Sequence, residues 1–82
     1  MPTVLTLGGL RVVIYPGGHR PAHVHVIGAG TEAVFILNCP DGPVTLRESY
    51  GFGGRMLRTV EAALNGTVAM LCGVWEKIHG PD

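Results

Sequence analysis

No sign of charge predominates in this chain. Six lysines and arginines balance six aspartates and glutamates, for a formal net charge of zero. Sequence-blind affinity for nucleic acid scales with the number of phosphates neutralised, so a strong global grip on a polyanion is excluded and any phosphate must be held locally. No apolar run approaches the roughly 20 residues of a membrane span. Nor does a basic segment followed by an apolar one open the chain, so the expectation is a cytoplasmic protein with no anchor and no lipidation signal. There are only two cysteines, Cys39 and Cys72, without CxxC or zinc-finger spacing. Isolated thiols of this kind read first as small buried apolar side chains, with a disulfide between them left open. No repeat with a period on the order of 20 to 50 residues appears, and no linker divides the chain, so one domain is expected over 1–82.

What the sequence does contain is apolar residues and turn formers. Hydrophobic residues make up 46% of 82, with 13 glycines and 6 prolines, a composition that folds as a turn-rich globule rather than remaining disordered. A chain this short buries only a little over roughly 60% of its unfolded surface, so it stands to gain from a partner.

Residues 3–7 and 10–15 are short β-branched runs separated by Gly8-Gly9, the pattern of a hairpin with a two-residue turn. Pro16, Gly17, Gly18 and Pro21 interrupt the sheet with a loop. From His23, "HVHVI" alternates with period two, which predicts Val24 and Val26 on the core face and His23, His25 and Ile27 on the other. Gly28-Ala29-Gly30 reads as a second turn, and the apolar run at 32–38 as an interior strand. A further extended piece is suggested at 44–48, followed by a glycine-containing connection. Leu57, Val60 and Leu64 then recur at helical spacing up to Asn65-Gly66, which predicts a left-handed stop. Thr67 reads as the cap of a second helix with an apolar stripe of Val68, Leu71, Trp75 and Ile78. The expected fold class is α+β: a small antiparallel sheet of about four strands (1–48) covered on one face by a C-terminal helical hairpin (53–79).

The segment "GGHRPAHVHV" places His19, His23 and His25 within seven positions. Two steps along a strand put the Cβ atoms of His23 and His25 about 6.6 to 6.8 Å apart, close enough to flank one phosphate or lean toward one metal ion. Histidine accepts and donates protons at neutral pH, so the pair suits RNA cleavage: one imidazole takes the 2′-hydroxyl proton, the other protonates the leaving oxygen, and a cation such as Arg20 or Arg11 steadies the phosphate. No cofactor is implied by that chemistry. A metal reading would use His19, His23 and His25 with Glu32, the one nearby carboxylate. The plain structural reading makes them polar residues on the solvent side of a sheet.

The opening "MPTVLTLGGLRVVIYPGGHRPAHVHV", then "EAVFIL", "YGFGGRMLRTVEAAL" and "LCGVWEKIHG", resembles the small bacterial proteins grouped as domain of unknown function (DUF) 4160, over nearly the whole chain. Members usually carry two prolines before the paired histidines; here Ala22 replaces the second. The resemblance implies that His19, His23 and His25 are family features. It also implies a cognate small antitoxin of the DUF2442 type, encoded beside the gene in an arrangement like a type II toxin–antitoxin pair. The leading expectation is therefore a toxin acting on RNA or another phosphate-bearing target through His19, His23 and His25 with Arg20. The alternatives are a non-enzymatic protein- or nucleic-acid-binding module, or a histidine metal site.

Overall fold

The computed structural model describes residues 3–80; Met1, Pro2, Pro81 and Asp82, the ends of the domain expected over 1–82, lie outside the described residues. Five strands form one antiparallel sheet in the order β1-β2-β3-β4-β5, each pairing with its neighbour in sequence. They are β1 (Thr3–Leu7), β2 (Leu10–Val13), β3 (His23–Gly28), β4 (Thr31–Ile36) and β5 (Thr45–Tyr50), followed by α1 (Gly54–Asn65) and α2 (Val68–His79). The fold is α+β, with one strand more than expected because the piece suggested at 44–48 is a full edge strand.

Both predicted hairpin turns are present, and each has a glycine at positive φ: Gly8 at 61° and Gly30 at 72°, the conformation that tight turns between antiparallel strands require. Gly28 belongs to β3 rather than to the turn, since it pairs with Thr31. The strand expected over 32–38 is interior, as its apolar character implied. Ala33, Val34 and Phe35 are all buried, so both faces of β4 are covered.

Register divides β3 between two jobs. Val26 lies opposite Val12 and Ala33, and Val24 opposite Phe35. These residues form the core with Val60 and Leu64 of α1 and Val68, Leu71, Cys72 and Trp75 of α2. The helices thus cover the valine face, as the alternation predicted. On the opposite face His25 lies between Val13 and Val34, and both valines are nearly inaccessible.

The junction between the helices differs from expectation. Gly66 is right-handed, at φ −69°, so no left-handed stop is used. Thr67 makes no side-chain cap for α2; its hydroxyl donates instead to the carbonyls of Ala63 and Leu64, at 3.3 Å each, satisfying orphan acceptors at the end of α1. Ile78, expected in the apolar stripe, is exposed, and its neighbour His79 turns toward the sheet.

Cys39 and Cys72 are not separate buried thiols. They form a disulfide with S–S 2.08 Å across 33 residues of sequence, because the loop leaving β4 and the second turn of α2 converge. Asn38, beside Cys39, adopts φ 54° and donates from Nδ2 to the Pro43 carbonyl and Thr45 hydroxyl, both at 2.8 Å. Asn65 Oδ1 accepts from the Val44 amide at 2.8 Å, tying that loop to the end of α1.

Gly51, between β5 and α1, has φ 82°, and a Cβ there would lie 2.7 Å from the Gly30 carbonyl oxygen. Gly51→Ala is expected to cost about 1 to 3 kcal/mol through strain and clash. Gly17→Ala, with nothing within 4 Å, should stay within about 0.5 kcal/mol. Urea midpoints of the two variants check the contrast.

Candidate functional site

The loop from β2 to β3 begins with buried Ile14 and a tight turn in which the Gly18 amide donates to the Tyr15 carbonyl at 3.0 Å. Pro16 and Gly17 supply its corners, residues suited to those positions. The chain then passes Pro21 and enters β3 at His23, whose Nδ1 donates back to the Pro21 carbonyl at 2.9 Å. His25 points to the same face two residues on, and its Nδ1 lies 2.9 Å from Glu32 Oε2. Glu32 sits on β4 diagonally from His25, because His25 pairs with Val34; long side chains meet across such diagonals.

A carbonyl and an ionised carboxylate can only accept, so Nδ1 carries the proton in both rings. No hydrogen bond among the described residues occupies Nε2 of either ring. The imidazoles are 5.2 Å apart between centroids, inclined at 64°. The arrangement therefore holds two oriented rings, each anchored on one nitrogen and each with its second nitrogen left for proton exchange, His23 buried and His25 half-buried. Gly18 borders this edge: a Cβ there would lie 3.6 Å from His23 Nε2.

Residues from the end of the chain complete the surroundings. The indole of Trp75 lies 5.2 Å from the His23 ring, and His79 stacks on that indole at 3.9 Å and 25°. His79 Nε2 donates to the Tyr15 carbonyl at 3.1 Å, while the Tyr15 ring meets His25 edge-on at 4.8 Å. The path Tyr15, His25, His23, Trp75, His79 thus closes on itself. Tyr15, Trp75 and His79 were not among the expected site residues. The signal for the last two is their i, i+4 spacing, which places an indole and an imidazole on one helix face.

The other expected site residues lie elsewhere or play other parts. His19 is exposed on the loop. Arg20, also exposed, donates from Nη2 to the Gly80 carbonyl at 3.2 Å, fastening the loop to the end of α2. Arg11 shares the histidine face: it lies opposite Ile27, which lies opposite Glu32. The metal set His19, His23, His25 and Glu32 is not assembled. Among the described residues no three His, Cys, Asp or Glu side chains gather where they could hold a metal ion.

At the edge of this face Tyr50 lies opposite Glu32 and donates its hydroxyl to Glu48 at 3.2 Å. That hydrogen bond, with the charge of Glu48 behind it and a smaller contribution from Glu32, raises the phenol above its ordinary value.

The model of a family described as Domain of unknown function (DUF4160) matches residues 9–76. No curated protein matches the chain, and no solved structure matches it.

Two measurements test this geometry. In ¹⁵N spectra the neutral rings of His23 and His25 should both be Nδ1-protonated; an Nε2–H form of either would contradict the anchoring described. Glu48→Gln should bring the Tyr50 titration down toward about 10, read by ultraviolet absorbance with Tyr50→Phe as the reference for Tyr15.

Proposed function

The chain belongs to the DUF4160 family, and on that premise we propose that it is a toxin of the type II toxin–antitoxin kind that cleaves RNA with His23 and His25 as its acid–base pair. The observation that carries the reading is that two imidazoles, 5.2 Å apart, are each fixed through Nδ1 by a built-in acceptor. Orientation of this sort is what proton transfer requires, since a general base must keep its accepting nitrogen aimed at the proton it removes.

In the proposed step, Nε2 of one ring accepts the proton of a 2′-hydroxyl, which attacks the adjacent phosphorus. The 5′-oxygen departs with a proton from the imidazolium of the other ring, leaving a 2′,3′-cyclic phosphate. Glu32 holds the His25 ring in its tautomer, a positioning role. Arg20, next to the Pro21 that anchors His23, is the cation for the phosphate oxygens, and His19 lies on the same loop to meet the strand outside the site. The chain carries no net charge, so RNA is held by these local groups, and a cognate small antitoxin of the DUF2442 type covers the histidine face.

Purified protein should cleave RNA to products ending in cyclic phosphate. His23→Ala or His25→Ala should slow cleavage by about 10²- to 10⁴-fold, the range removed with a general acid or base, and Glu32→Gln by less. In cells, induction should arrest growth, and coexpression of the antitoxin or the double alanine substitution should relieve the arrest. Binding of RNA without turnover would instead identify a binding module, and cleavage undiminished in the double variant would end the acid–base reading.

A further inference from the structure

A cleft of about 390 Å³ opens beside the site, lined by Ala22, Cys39, Pro40, Cys72, Trp75 and Glu76 among others. Its wall contains both halves of the disulfide. Cys39 is exposed, whereas Cys72 is nearly buried. The cleft shares Trp75 with the histidine site, because Cys72 and Trp75 stand at i, i+3 on one face of α2 and the indole also meets His23. One covalent bond thus joins the loop after β4 to the helix that supplies Trp75 and His79. A disulfide reachable by solvent exchanges with small thiols, and in a thiol-rich compartment such a bond is transient or sensing rather than permanent.

We propose that the Cys39–Cys72 disulfide is a thiol-exchange site, through which a small-molecule thiol sets the position of Trp75 against His23 and with it the activity of the histidine pair. The last clause rests on the ribonuclease reading; the exchange and the movement do not. The incoming thiolate attacks Sγ of Cys39, the exposed member of the pair. An S–S bond forms between them as the Cys39–Cys72 bond breaks, and the electron pair leaves on Cys72 as its thiolate. A second thiol then attacks the mixed disulfide, releasing the oxidised thiol dimer and leaving two protein thiols. The pair of cysteines is reduced by two electrons and the two small thiols are oxidised. Without the bond, α2 keeps its apolar packing but loses its tie to the loop, and the Trp75–His23 contact relaxes.

The experiment is a titration of the whole chain with graded mixtures of reduced and oxidised glutathione. Thiols are counted by alkylation and mass, the single tryptophan is followed by fluorescence, and the His23 ring by NMR. The expected result is one reversible curve shared by all three, with far-ultraviolet circular dichroism unchanged. In Cys72→Ser, Cys39 should take one glutathione, and in Cys39→Ser the remaining thiol should react at least about tenfold more slowly, reflecting its access. A disulfide that survives the most reducing mixture overturns the proposal. So does reduction that leaves the His23 signals in place, or reduction that unfolds the chain, which would make the bond a structural staple. RNA cleavage at equal rates in both redox states removes control of the site. Cleavage in neither state, with the shared curve intact, sinks the ribonuclease reading and leaves the exchange site standing.

Discussion

The indole of Trp75, stacked on His79 and tilted against His23, makes the contact on which both the core and the histidine site depend. On one side the ring belongs to the apolar cluster that joins α2 to the sheet; on the other it meets His23 and carries His79. A ring this large contributes much of the area that a small core can bury, and here that area is also a wall of polar chemistry. The bond from His79 to the Tyr15 carbonyl then fixes the turn before β3. Helix position, loop shape and imidazole orientation are consequently one mechanical unit.

The middle strand supports that unit by its alternation. Val24 and Val26 anchor β3 to the helices, while His23 and His25 occupy the intervening positions and face the other way. Since side chains alternate strictly, a slip of one residue would bring imidazoles into the core and valines to the site. The burial that stabilises the sheet is therefore what holds the histidines in register. Val13 and Val34 flank His25 and are themselves covered, which makes its surroundings drier than an open sheet face.

Much of this was legible in the sequence where a local rule acts alone. Gly8-Gly9 and Ala29-Gly30 announced hairpins, the HVHV alternation assigned faces correctly, and apolar spacing located both helices. Where distant segments decide, the pattern was mute. β5, "TLRESY", showed only as a short extended piece over 44–48, because it is too polar to carry a clear strand period; its full length to Tyr50 depends on the edge that β4 offers. Thr67 looks like a helix cap, yet its hydroxyl finds closer acceptors behind it. Ile78 fits the apolar stripe by spacing, but the last turn of α2 presents His79 to the sheet. The pairing of Cys39 with Cys72, and of His23 with Trp75, joins residues with no local signal between them. His23, His25 and Glu32 were named correctly as a neighbourhood because a hairpin brings them together; His79 was not, because only the return of α2 does.

The sheet is a meander in which every strand pairs with the one just before it, so its contacts are close in sequence and need no long loop closure before they form. Synthesis proceeds from the N-terminus, and segments able to fold early do so. The imidazole pair and its Glu32 partner are thus synthesised before α2. Trp75 and His79 arrive afterwards, and only then does the ring of contacts close. A chain interrupted before its last helix would carry the two histidines without the indole that packs against one of them, so the same topology that makes the sheet easy to build withholds the finished site until translation has reached α2.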